Sequence, residues 1–118
     1  MYRMSFFLSI LFLISCDKDE AGQSVCYTLI ERQCAMDPYN AYFKDIKNAD
    51  DRIRAIKDYL QDKEISPVNI TANPLSMDAV CLACICPNGY SYRLTLEVKD
   101  TIRLLALDLL LVHVDCAK

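Results

Sequence analysis

Residues 78–99 read DAVCLACICPNGYSYRLTLEVK, and how this stretch is divided decides the fold. Tyr90, Tyr92, Leu94, Leu96 and Val98 alternate with Ser91, Arg93, Thr95, Glu97 and Lys99. That period of two marks a strand with one buried and one wet face. Before it, Val80 to Cys86 is an extended apolar run, and Asn88-Gly89 offers the positive-φ residues of a tight turn. The spacing predicts a β-hairpin, with one strand before the turn and one after it. In such a hairpin Cys84 and Cys86 share a face near the upper limit of disulfide reach, and Cys81 points to the other face or lies at a bend. All three are then expected to bond to cysteines elsewhere.

Working outward, Ser24 to Cys34 is rich in β-formers and reads as a first strand, with a short helix as the alternative. Asp37-Pro38 has the form of an N-cap followed by a first-turn proline. Phe43, Ile46, Ala49, Ile53, Ile56 and Leu60 recur in steps of three and four, one face of an amphipathic helix. Asn48 is placed to cap a fresh start, so residues 49–62 are expected to be helical. Pro67 and Pro74 bracket VNITAN, a short extended piece suited to a sheet edge. Lys99 to Leu107 suggests a short helix capped by Asp100, with Ile102, Leu105 and Ala106 inward. DLLLVHVDC, residues 108–116, then reads as a closing strand buried on both faces. The sum is a small α+β domain: a mostly antiparallel sheet of four or five strands, one or two helices on one face, and disulfide staples.

The N-terminus has another character. Arg3 gives a short positive region, and Phe6 to Ile14 is an apolar run broken only by Ser9. It is too short to span a bilayer, which takes roughly 20 residues, and suits the h-region of an export signal. The run ends in Leu13-Ile14-Ser15-Cys16, followed at once by Asp17-Lys18-Asp19-Glu20. Leu13 to Cys16 resembles the lipobox of bacterial lipoproteins. The resemblance implies cleavage before Cys16 and a covalent lipid (diacylglycerol and often an acyl chain such as palmitate) on that residue. Lys18, Asp19 and Glu20 resemble the surface-export tag of small Bacteroidota lipoproteins, which implies the cell surface, on the outer face of the outer membrane. The expected organisation is a signal peptide at 1–15, an acylated cysteine and polar tether at 16–24, and a domain at 25–118. Two or three chains on one residue give stable anchoring, because each buried methylene contributes ~0.8 kcal/mol.

The chain carries seven cysteines. Assigning Cys16 to lipid leaves Cys26, Cys34, Cys81, Cys84, Cys86 and Cys116, an even set in an exported domain and therefore a disulfide framework. If every bridge joins the predicted hairpin to another element, the fifteen possible pairings fall to six. The alternative is a thiol-based site. Cys81, Cys84 and Cys86, with Cys116 or His113, have donor types that accept Cu or Zn, and a C-x-x-C pair can exchange disulfides when a helix N-terminus lowers a thiol pKa. The predicted strand supplies no such helix.

A net charge of −3 gives no basic face for nucleic acid. With two glycines there is no phosphate loop, and no G-x-S-x-G or H-E-x-x-H is present. His113 sits between valines, as a core or rim residue would, and Asp50-Asp51 falls on a solvated helix face. The tyrosines could line a sugar- or protein-binding surface. No catalytic set and no small-molecule substrate emerge. The expectation is a non-enzymatic lipoprotein of the bacterial cell envelope, a binding or accessory subunit held to the membrane by lipid and meeting an envelope protein partner.

Overall fold

The computed structural model describes residues 23–74 and 81–118. The expected leader, Cys16 and Lys18-Asp19-Glu20 lie outside these residues, as does Val80. In chain order the elements are β1 (Ser24–Arg32), a 3-10 turn (Pro38–Tyr42), α1 (Ala49–Asp62), β2 (Asn69–Pro74), β3 (Pro87–Glu97), a second 3-10 turn (Val98–Asp100), α2 (Thr101–Leu105) and β4 (Leu111–Val114). The strands form one sheet in the order β2-β3-β1-β4, and every neighbouring pair is antiparallel. β1 and β2 are therefore parallel across β3, and β3 and β4 are parallel across β1. The connectivity β-α-β-β-α-β in this order is that of a split βαβ, or ferredoxin-like, topology. The domain is a disulfide-stapled α+β fold.

Strand alternation sorts the faces. Val25, Tyr27 and Leu29 of β1 stand opposite Leu96, Leu94 and Tyr92 of β3, and Ile70 and Ala72 of β2 join the same side. Against this side α1 lays Ile56, Tyr59 and Leu60, joined by Tyr39, Ile65 and Leu104 in one core. The other face carries Thr28, Thr71, Arg93 and Thr95, and no helix among the described residues covers it.

α1 starts where Asn48 predicts: the Asn48 Oδ1 accepts the Asp51 N–H at 2.9 Å. Asp50 and Asp51 place negative charge on the first turn, where the helix dipole favours it. The helix stops in a left-handed turn. Glu64 has φ 61°, its N–H reaches the Gln61 carbonyl at 3.0 Å, and the Ile65 N–H reaches the Leu60 carbonyl at 2.9 Å. These are the two bonds of a Schellman motif, with glutamate where glycine is usual.

Three expectations need correction. The predicted hairpin is absent: residues 81–86 form turns, and Asn88-Gly89 lies inside β3. There the register on β1 slips, between Ile30 opposite Ser91 and Arg32 opposite Pro87. Gly89, at φ 97°, supplies the left-handed residue of this bulge, a conformation that a bulge and a tight turn both require. The strand before β3 is β2, which ends at Pro74.

α2 also presents a different face. Leu104 is fully buried and Leu107 packs on the core, whereas Ile102 is 83 % exposed and Leu105 and Ala106 are exposed too. The preceding 3-10 turn rotates the helix, and the Asp100 side chain makes no cap; it accepts Arg103 instead. Finally, β4 is an edge strand rather than one buried on both faces, and only Leu111 of it packs on the core.

Candidate functional site

The six domain cysteines pair as Cys26–Cys116, Cys34–Cys84 and Cys81–Cys86, with Cα separations of 5.2, 5.2 and 5.8 Å. Only Cys34–Cys84 joins the 81–86 segment to another element, as was expected of all three bridges. Cys26–Cys116 leaves that segment out and ties β1 to the C-terminal tail, and Cys81–Cys86 closes a short ring within the segment, because the turn brings together residues that a strand would hold apart. Cys26–Cys116 fixes the C-terminal tail over the helix-free face, where Arg93 donates to the Asp115 carbonyl at 2.7 Å and also to that of Lys118.

The sheet thus has two ends. Ser24, Glu97 and Val114 mark the end at which the chain enters from the N-terminal segment. Arg32 and Pro87 mark the opposite end, where the loop of the other two bridges sits. Gln33 buttresses that loop: its N–H donates to the Cys86 carbonyl at 2.8 Å, and its side chain donates to the carbonyls of Cys81 and Pro87 at 2.9 and 3.1 Å. Held this way, the loop exposes Leu82 (89 %) and Ile85 (64 %). The tip is apolar, and its three cysteines are all bonded in bridges.

The residues considered for metal do not converge. Cys84 bonds to Cys34, Cys81 to Cys86, and Cys116 to Cys26 near the other end of β1. His113 and Cys116 share a shallow depression of about 470 Å³ with Ser24 to Cys26. There His113 is exposed and rests edge-on to Tyr27, ring centroids 5.3 Å apart. Among the described residues no group of three His, Cys, Asp or Glu is placed to hold a metal ion. Asp50 is exposed, while Asp51 accepts the Lys47 N–H and pairs with Arg54. Among the described tyrosines, Tyr27, Tyr39, Tyr59 and Tyr92 are buried, Tyr42 is half-buried with its hydroxyl donating to Asp62, and Tyr90 is exposed.

A polar cluster beneath the end of β1 escapes sequence reasoning. Glu31 continues the core-facing row of Val25, Tyr27 and Leu29 and is buried. Its carboxylate accepts Arg52 Nη1 from α1 at 2.8 and 2.9 Å and the Tyr92 hydroxyl at 2.7 Å. The Arg52 guanidinium also stacks 3.9 Å from the Tyr90 ring centre, a cation–π contact. Nearby, Arg32 Nε donates to the buried Asp37 at 2.7 Å, and the Tyr39 hydroxyl donates to the same carboxylate at 3.0 Å. Burial, and then the neighbouring carboxylates, push the Tyr39 and Tyr92 hydroxyls far above ordinary phenol values, so both are neutral donors at physiological pH. Every buried side-chain nitrogen and oxygen among the described residues has a partner. A closed network of this kind positions α1 on the sheet and leaves no group aimed at a ligand. The only sequence signal for it is a glutamate at a core-phase position.

No protein family, curated protein or solved structure matches this chain. No helix among the described residues is long and apolar enough to cross a membrane.

Proposed function

We propose that the chain is a lipid-anchored protein of the bacterial cell envelope, carried on the outer membrane surface, whose stapled domain serves as a non-enzymatic binding or accessory subunit. One observation supports this most: the domain's six cysteines satisfy one another in three bridges, so the single cysteine left over is Cys16 at the lipobox. An odd cysteine with a defined covalent fate and an oxidised remainder belong to the same exported setting. Asp17 to Gln23 spans at most about 25 Å when fully extended, which keeps the domain close to the bilayer. β1 begins at the tethered end, and the tip bearing Leu82 and Ile85 stands at the opposite end of the sheet, which makes it the natural place for a protein partner. A Cys16→Ser variant tests the anchor. It should fail to incorporate labelled palmitate and should leave the membrane fraction; unchanged labelling and retention would refute the reading.

A further inference from the structure

α2 and the 3-10 turn before it are apolar on two sides. Leu104 is buried and Leu107 packs on the core, yet Val98, Ile102 and Leu105 face outward, Ile102 at 83 % exposure. Steps of four and three set these three along one side of the turn and helix. A surface helix ordinarily turns polar residues outward, and a contiguous exposed apolar row marks a contact surface. The neighbouring cations are already balanced: Lys99 pairs with Glu97 at 3.0 Å, and Arg103 with Asp100 at 3.4 Å. The row is therefore close to neutral, with two long basic side chains at its margin.

Its position indicates what covers it. The Val98 N–H donates to the Gln23 carbonyl at 3.1 Å, so the chain departs toward Cys16 from beside the first residue of the row. Ile102 follows Val98 by about 6–8 Å along the axis, and Asp17 to Gln23 reaches at most about 25 Å. A lipid on Cys16 therefore presents the bilayer to this row at the high effective concentration of an intramolecular contact. We propose that Val98, Ile102 and Leu105 are a membrane foot, an inference that rests on the lipid anchor at Cys16. They enter the interfacial layer of the leaflet that holds the anchor, while Lys99 and Arg103 lay their stems on its surface and keep their charges in water. So few residues do not retain a protein on a membrane by themselves. Retention belongs to the anchor; the foot sets how the domain stands on the bilayer. Because its cations are paired, its grip is apolar and insensitive to salt.

The chain has no tryptophan, so one introduced indole reports its own surroundings. The full lipidated protein carrying Ile102→Trp is reconstituted into phosphatidylcholine vesicles, with and without bromine on the acyl chains near the headgroups. Its emission should be blue-shifted and quenched about twofold by the brominated lipid, as expected of an interfacial side chain, and high salt should leave the quenching unchanged. Leu82→Trp, at the opposite end of the sheet, should emit as a wet indole and stay unquenched. Leu105→Trp should repeat the result, and adding Ile102→Asp to it should remove most of the quenching. Neither position belongs to the core, so thermal unfolding should stay close to that of the unaltered protein. Vesicle flotation separates the two ways of failing. Protein that floats with unquenched indoles at 102 and 105, or with Leu82→Trp quenched equally, overturns the foot and leaves the anchor standing. A blue shift that brominated lipid does not quench would mean that protein covers the row, and overturns it as well. Protein that does not float overturns the anchor and the foot together.

Discussion

Arg52 on α1 holds Glu31 on β1 through one guanidinium nitrogen, 2.8 and 2.9 Å from the two carboxylate oxygens, and this pair fixes the helix to the sheet. Glu31 is almost fully buried, and Arg52 retains limited solvent access. Removing the arginine strands a buried carboxylate. Arg52→Leu should therefore destabilise the domain by about 3 kcal/mol, the lower end for a broken buried pair because Arg52 is partly wet. Adding Glu31→Gln should recover more than half, since the amide oxygen still accepts Tyr92. Urea unfolding without reductant measures both; equal losses in the single and double variants would contradict the account.

Alkaline pH should unfold the domain through Tyr39 and Tyr92. Their folded pKa values are raised, above all by burial, while in the unfolded chain they return to about 10. The stabilisation is thus complete below pH ~10 and is lost as pH climbs toward the folded values, because the unfolded state then holds fewer protons. Melting temperature followed from pH 8 upward should stay level and then fall above about pH 10, with two phenols ionising only on unfolding. Ordinary titration of every tyrosine in the folded state would contradict this.

Glu64 occupies the left-handed position that ends α1, at φ 61°. A side chain there costs ~1–2 kcal/mol relative to a residue without one. Glu64→Gly should stabilise the domain by about 1 kcal/mol, after the glycine's greater unfolded-state freedom is subtracted. A shift of the urea midpoint at constant slope reports it, and a loss of stability would show that the Glu64 side chain has a role of its own.

Much of the fold was legible because local signals and tertiary demands agreed. Asn48 caps α1, the prolines around β2 mark an edge, and the alternation from Tyr92 to Leu96 gives the core face of β3. The hairpin failed because Asn-Gly suits a bulge as well as a turn, and only the partner strand distinguishes them. The run from Leu109 to Val114 misleads for a related reason: its apolar character reflects one packed leucine in β4 and an uncharged edge, not two buried faces. Nothing local announces that Glu31 will meet Arg52, twenty-one residues along the chain. The cysteine count foretold bridges; their pairing depended on the turn at 81–86.

The bridges should differ in what they contribute. Cys26–Cys116 spans 90 residues and Cys81–Cys86 only 5. Loop-closure entropy assigns roughly 4–5 kcal/mol to the first and about 2 kcal/mol to the second. Replacing each pair by alanines and comparing urea midpoints should give that order, and a larger loss from the Cys81–Cys86 pair would contradict it.

The most direct measurement is the intact mass of the native protein extracted from membranes, alkylated under denaturing, non-reducing conditions. The account predicts a chain starting at Cys16, heavier by a lipid group on that residue, with no alkylated cysteine and with peptides linked through Cys26–Cys116, Cys34–Cys84 and Cys81–Cys86. A chain that keeps residues 1–15, or carries a free thiol at Cys16 or within the domain, would contradict it.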